Sequence, residues 1–474
     1  MNLKKLRSII SGPTFTGGLL FFAAVAAFVW ANISPETYNA VWNQPLTFHL
    51  GKHVEKALEN GQVVEHVSYF MTLHLKSLQL LVSDLLMVIF FFSVGLEIKG
   101  EFIAGKLSTF SKAILPIAAA LGGMVFPALL YFCFNHSASD IAGQGWGIPM
   151  ATDIAFSLAV ISLLAQRVPL SLKIFLMTLA VADDLGGIAV IAFFYTEHLD
   201  TGALAVALLG TGFLFLANMV NTRTKWVYYV VGFAVVWTQI LESGVHATIA
   251  GILMGFAFPT NAGMLPKQYA AKAQKILDQL KDKGHESLFR GMPDADTSDA
   301  YFEMHQLTKR AESPLASVER TLAPFVALVV MPVFALANAG VNISGDLSFT
   351  QAIAAPVALG VGIGLLVGKP VGIFLFTLLF VKLGIGKLPD GVKWKHIFGM
   401  GIIAGMGFTV ALFITELAFR TTDLSVRSLA ANYMSEAKLA ILLASVLAAI
   451  IGYVLLYAIS GKQKGKGRPR SKKI

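Results

Sequence analysis

The chain has 474 residues, 55% of them hydrophobic and only 14% charged, against about 25% charged residues in an ordinary soluble domain. Apolar runs of about 18 residues or more recur along nearly its whole length, and such runs belong in lipid. The net charge of +9 sits in the segments between those runs, which argues against a nucleic-acid partner, and the single cysteine, Cys133, excludes an intramolecular disulfide.

In chain order the pattern predicts twelve spans, over 12–32, 77–98, 113–134, 141–164, 170–195, 201–220, 226–240, 244–258, 321–339, 354–381, 396–419 and 434–460. The first is read as a retained span, because Lys4, Lys5 and Arg7 lead into it with no small-residue cleavage site behind. Residues 33–76 form a hydrophilic outer loop in which Leu46-Thr47-Phe48-His49-Leu50 alternates like a strand and starts a hairpin. Residues 259–318 form a hydrophilic insert. Within it Tyr269, Ala273, Ile276 and Leu280 fall at helical spacing among lysines, which predicts an amphipathic helix, read as a solvated basic linker near anionic lipid. The chain thus divides into spans one to eight (1–258, with the outer loop 33–76), the insert (259–318), spans nine to twelve (319–460) and a basic tail (461–474). An even number of spans puts both termini on one side. The termini and alternate loops carry 30 of the 37 lysines and arginines, while 135–140, 196–200 and 340–353 carry none, so both termini are expected in the cytoplasm.

Four acidic residues fall well inside spans: Asp84, Asp153, Asp183 and Asp184. A charge at mid-bilayer costs about 2.5–3.5 kcal/mol on insertion scales, so such residues mark ion or proton paths more readily than structural pairs. Lys369 lies about 18 Å along a helix from the nearer end of its span, and its stem reaches only about 6 Å, too short to snorkel to water. It must pair with a carboxylate or with helix-end carbonyls, or sit neutral. The string Gly362-Ile-Gly-Leu-Leu-Val-Gly-Lys369 fails as a phosphate loop, since Ile363 replaces the first glycine and Pro370 the hydroxyl residue, so no nucleotide is expected. Asp183 and Asp184, being consecutive, point about 100° apart on a helix. One can face an ion while the other faces a neighbouring helix. Two carboxylates together in low dielectric resist ionising together, so protons and a hard cation compete for the same oxygens. Asp153, Asp184, Thr152 and backbone carbonyls are the candidate ligands for Na⁺.

Two spans contain helix breakers: Gly145-Trp-Gly-Ile-Pro149-Met-Ala-Thr-Asp153 and Gly399-Met-Gly-Ile-Ile-Ala-Gly-Met-Gly407-Phe-Thr409. Broken helices at corresponding places in two repeats mark a transporter's midplane site. Asp153 suits the positive N-termini of the half-helices, and Lys369 the negative C-termini.

The strings Phe92-Ser-Val-Gly-Leu-Glu97-Ile-Lys, Ala151-Thr-Asp153-Ile-Ala-Phe, Ala182-Asp183-Asp184-Leu-Gly-Gly, Gly244-Val-His246-Ala-Thr and Val367-Gly-Lys369-Pro resemble the NhaA family of bacterial Na⁺/H⁺ antiporters. That family is itself a standard example of the paired-broken-helix rule. The resemblance covers the chain except the insert 260–311 and the tail. It implies an all-α membrane protein of twelve transmembrane helices with an inverted-repeat antiporter fold, spans 3–5 and 10–12 forming the repeats around two crossed broken helices. It implies that Asp183 and Asp184 bind Na⁺ and exchange it for protons, and that Asp153 and Lys369 balance the broken helices. It further implies electrogenic, alkali-activated exchange of Na⁺ or Li⁺ in a bacterial inner membrane, with no cofactor. A pH-sensing cluster of Glu97, Glu101 and Glu319 at the cytoplasmic mouth, His246 near the outer end and a homodimer through 44–66 complete that picture. Ser83 before Asp84, where the family often has Asn, and Gly100, where some members carry a basic residue, depart from it.

A sodium-coupled organic solute symporter of similar fold is the alternative transporter. An enzyme is not expected: an intramembrane aspartyl protease takes its aspartates from two facing helices, and adjacent Asp183 and Asp184 fit that poorly. A channel is disfavoured because deep carboxylates paired with a lysine bind too firmly for simple conduction.

Overall fold

The computed structural model describes residues 12–44, 46–59, 62–75, 77–164, 167–195, 199–282, 288–289, 292–342, 349–421 and 423–461. Lys4, Lys5, Arg7 and the basic tail from Lys462 onward lie outside the described residues. The helices, in chain order, are α1 (Pro13–Ile33), α2 (Pro35–Trp42), α3 (Leu78–Ile103), α4 (Phe110–Asn135), α5 (Asp140–Met150), α6 (Ile154–Leu163), α7 (Leu170–Phe194), α8 (Thr201–Met219), α9 (225–242) and α10 (Thr248–Ala257). They continue with α11 (Pro266–Asp282), α12 (Ala295–Ala311), α13 (Pro314–Asn338), α14 (Phe349–Ala354), α15 (Pro356–Lys382), α16 (Trp394–Ala404), α17 (Phe408–Ala418) and α18 (Arg427–Ile459).

Among the described residues eight helices are long and apolar enough to cross a membrane. Two bent pairs, α5–α6 with a 41° bend and α16–α17 with a 50° bend, bring the count to ten. The ranges expected as spans seven and eight are helical too, but α9 is interrupted by the π-turn Gly232–Trp237 and α10 has ten residues. Ten helical residues cover about 15 Å, half the hydrocarbon thickness. Among the described residues the strands form two antiparallel pairs, both in hydrophilic segments. In the first, β1 (Leu46–Glu59) pairs with β2 (Gln62–Leu75) from Leu46↔Leu75 to Glu59↔Gln62, so the strand pattern expected at Leu46–Leu50 does open a hairpin.

The chain forms two compact units. The first comprises Met1–Phe90, Lys106–Glu197 and Val326–Ile474 and contains both bent pairs. Its helices approach closely where side chains are smallest: a Cβ on Gly122 of α4 would fall on the Gly372 carbonyl of α15, and one on Gly372 would fall on the Gly122 carbonyl. Only glycine at both positions lets these backbones touch.

The second unit comprises Phe91–Gly105 and His198–Phe325. Its core gathers Phe92, Leu96, Leu214, Tyr228, Met254 and Phe258. Lys99 donates from Nζ to the carbonyls of Phe256 and Phe258, both at 2.6 Å, closing the C-terminus of α10 with a cation where the helix dipole is negative. The insert is a helical pair. The predicted face of α11 is its covered one, with Ile276 buried and Tyr269 Oη 3.1 Å from Thr308 Oγ1 of α12. The sequence marked the amphipathic helix but not that a second helix covers it.

Candidate functional site

Helices α5 and α16 each stop short, and their second halves α6 and α17 start after a gap of three residues. Pro149 has no amide to donate, and Ala151 and Asp153 are extended, so α5 cannot run on into α6. Gly405, Met406 and Gly407 make the second gap, and Phe408 behind it is held at a φ of +22°, a conformation few non-glycine residues adopt. Backbone groups freed at such gaps must be satisfied by other partners, and in this unit the two gaps largely satisfy each other.

Asp153 is the main connector. Its Oδ1 accepts from the Phe156 amide at 3.0 Å, capping α6. Its Oδ2 accepts from the Thr409 amide at 3.2 Å and the Thr409 hydroxyl at 2.6 Å, capping α17. Its own amide donates to the Met406 carbonyl at 2.7 Å. One carboxylate therefore serves two positive helix ends. The negative ends are shared out differently. Lys369 Nζ donates to the Met150 carbonyl at the end of α5. The Ala404 carbonyl at the end of α16 lies 2.9 Å from the Thr152 hydroxyl, and the neighbouring Ile403 carbonyl accepts from Ser157 at 3.2 Å. On the far side the Phe408 amide donates to Ser445 Oγ of α18 at 3.3 Å.

Asp183 joins this crossing to α7. Its Oδ2 lies 2.6 Å from Lys369 Nζ and 2.6 Å from the Thr152 hydroxyl, whereas its Oδ1 is buried with no hydrogen-bond donor among the described residues. The Lys369 and Asp183 side chains are 0% and 1% exposed. Asp184 is the next residue on α7 and is also buried, as are Thr152, Asp153 and Thr409. The result is a dry cluster of carboxylate, hydroxyl and carbonyl oxygens around one ammonium group. Such oxygens suit a hard monovalent cation and suit protons equally.

The structure thus brings Thr152, Asp153, Asp183 and Lys369 into one bonded network, with Asp184 adjoining on α7. It shows that Lys369 meets Asp183, a choice the sequence left open, and it gives Thr152 a bridging position between Asp183 and a helix end. Thr409, Ser157 and Ser445 were missed. Thr409 and Ser157 had a weak signal, being hydroxyl residues in the first turn after a break, where orphaned backbone groups need partners, whereas Ser445, in the middle of unbroken α18, had none. Lys369 follows the π-turn Gly364–Gly368, and Asp84 sits within another, Val82–Leu86. Such turns are frequent at functional sites.

Asp84, within α3, is less enclosed than Asp153, Asp183 and Asp184. Its side chain is 22% exposed, and Oδ1 lies 3.9 Å from Nη1 of Arg420, an exposed loop residue behind α17. Glu97, Glu101 and Glu319 lie in the second unit, near enough to act on each other electrostatically, and a Cβ at Gly100 would lie 3.9 Å from Glu319 Oε2. His246 is in the same unit, with Nδ1 3.2 Å from the Thr248 hydroxyl at the start of α10.

The sequence profile of Na⁺/H⁺ antiporter 1 matches residues 7–456. The Na⁺/H⁺ antiporter NhaA 1 of Psychromonas ingrahamii is 41% identical over 452 residues, 95% of each chain. The NhaA antiporter of Oleidesulfovibrio alaskensis is 42% identical over 459 residues, covering 96% of this chain and 94% of its own. That of Helicobacter pylori is 40% identical over 472 residues, covering 97% and 98%. A chain this rich in apolar helices, matched from end to end by such relatives, is a multi-pass integral membrane protein, and it belongs to the Na⁺/H⁺ antiporter 1 family.

Proposed function

We propose that this chain exchanges Na⁺, or Li⁺, for H⁺ across a bacterial inner membrane. The observation that carries the reading is Asp183: one oxygen is shared between Lys369 and Thr152, the other has no donor among the described residues, and Asp184 stands beside it. A cation entering this cluster competes with protons, and with the Lys369 ammonium, for the same carboxylate oxygens. Exchange needs that competition, because loading the ion and releasing protons become one event. Two carboxylates and an amine exchanged against one monovalent ion can release more than one proton per Na⁺, which supports an electrogenic cycle.

In this reading the twelve helical ranges are twelve spans, α4 to α7 and α15 to α18 form the two repeats, and the bent pairs are the crossed broken helices at the midplane. Both termini face the cytoplasm, as the distribution of basic residues requires. Glu97, Glu101 and Glu319 form a regulatory cluster, with His246 acting on the pH response. The hairpin supports a homodimer through 44–66, since a two-stranded ribbon has two unpaired edges able to pair with a second copy.

The test is Na⁺-dependent collapse of a pH gradient in proteoliposomes, compared among Na⁺, Li⁺ and K⁺. Asp184→Asn is expected to abolish it; exchange at the unaltered rate in that variant would overturn the reading. A requirement for an organic solute would replace antiport with symport.

A further inference from the structure

Thr409 on α17 gives Asp153 Oδ2 two donors, its amide at 3.2 Å and its hydroxyl at 2.6 Å. The axial position of α17 therefore sets geometry at the crossing. This helix begins after a gap and has only 11 residues, so its own helical bonds do not hold it in place along that axis. Two polar bonds from α18 do. At the N-terminal end the Phe408 amide donates to Ser445 Oγ at 3.3 Å, both residues buried. At the other end Lys438 Nζ donates to Glu416 Oε1 at 2.5 Å, with the side chains 8% and 19% exposed. The two bonds are eight residues apart on α17 and seven on α18, about 12 and 10 Å, so they pin two antiparallel helices side by side. Glu416 Oε1 also accepts from Gln79 Nε2 of α3 at 3.1 Å, and Gln79 donates to buried Asn338 at 3.1 Å. Apolar burial is non-directional, so it holds α17 against α18 without fixing how far one slides along the other. Hydrogen bonds weaken steeply away from their preferred geometry, and these resist sliding.

Resting on the exchange reading above, we propose that Lys438 is a positioning residue for cation binding: through Glu416 it fixes α17 along its axis, and so holds Thr409 on Asp153. Lys438 touches neither the cation nor the exchanged protons in this role. Glu416 and Thr409 are seven residues apart on α17, about 10 Å. Without the pair the far end of α17 shifts, Thr409 follows, and Asp153 and the adjoining Thr152 lose their fixed places around the ion site. Apolar contact alone would join these helices without desolvating two charges, and fixing a register is the best-attested use of a buried polar pair.

The test uses proteoliposomes of the full chain, in which collapse of a pH gradient is titrated with Na⁺, alongside thermal unfolding in detergent. Glu416 borders a cavity of about 540 Å³ with Arg420 and Arg427 in the same wall. Either arginine could take up a stranded carboxylate, so the pair is removed from both sides. Replacing a buried pair by apolar residues of similar volume is often neutral for stability, so Glu416→Met with Lys438→Met should unfold at the original temperature. Its apparent KM for Na⁺ should rise about two- to thirtyfold, the range of coupling carried through packed elements, with the maximal rate little changed. The reversed pair, Glu416→Lys with Lys438→Glu, restores the link and should bring KM back. Adding Ser445→Ala to the apolar double variant removes both pins and should raise KM beyond the product of the separate effects. An unaltered KM in the apolar double variant, a reversed pair no better than it, or a KM that tracks unfolding temperature across the variants rather than the presence of the link, overturns the proposal and leaves antiport standing. Failure of the unaltered protein to couple Na⁺ to H⁺ overturns both.

Discussion

Two cation–carboxylate pairs lie toward opposite ends of the short helix α17, and they are built for different work. At the N-terminal end, through Asp153 and Thr152, is Lys369–Asp183, at 2.6 Å with both side chains inaccessible. Beyond the C-terminal end is Arg420–Asp84, at 3.9 Å and half in water. Taking charges out of water incurs a desolvation penalty that only good geometry and further hydrogen bonds offset. The first pair has both: Lys369 also serves the Met150 carbonyl, and Asp183 the Thr152 hydroxyl. The second is longer and more exposed. Only the first is therefore structural as well as functional, and the two should separate cleanly under mutation.

The largest effect is expected at the buried pair. Lys369→Ala strands Asp183 in a dry site and leaves the Met150 carbonyl without its donor. Breaking a buried pair from one side destabilises by about 3–5 kcal/mol, read as a lower thermal unfolding temperature in detergent. Replacing both partners, as Lys369→Met with Asp183→Leu, is expected to recover most of that stability while exchange stays lost. If the double variant is as unstable as the single one, the pair is not the self-compensating unit described here.

Asp153→Ala comes next. It removes the side-chain caps of α6 and α17 together, and one cap is worth about 0.5–2 kcal/mol, so about 1–4 kcal/mol in all. The same unfolding measurement checks it. A loss no larger than a single cap would mean that Thr409 keeps α17 closed without Asp153.

How much of this was visible beforehand follows the same division. Buried charges are legible because they break the compositional rule of a span: Asp153, Asp183, Asp184 and Lys369 stand out against an apolar background. The breaks are legible because glycine and proline punctuate a helix locally. Partner choice is not local. Whether Lys369 meets Asp183 or Asp184 depends on the rotation of α7 against α15, which neither segment encodes alone. The hydroxyl of Ser445 has the same character, since it is an unexceptional residue of an unbroken helix until a broken helix end from elsewhere arrives. For Asp84 the sequence shows a place in an apolar run but not what surrounds it. It lies six residues past the first residue of α3 and opens onto a cavity, so water reaches it. Arg420 and Glu416 gave no signal for a related reason, being charges at or just beyond the end of α17, where charges are ordinary. The covered face of α11 was legible from its spacing, whereas its cover, α12, was not.

The smallest stability effect is expected at Arg420, and it is the sharpest check on the comparison. Arg420→Gln removes a charge 3.9 Å from Asp84 but strands nothing, because water can replace the guanidinium at a side chain that is 22% exposed. Exposed pairs contribute about 0.2–1 kcal/mol, and screening by salt reduces that further. The unfolding temperature of Arg420→Gln should therefore match that of the unaltered protein at moderate ionic strength. A destabilisation approaching that of Lys369→Ala would make Arg420–Asp84 a structural pair like the one at the crossing. In that case the contrast between the two ends of α17 would collapse.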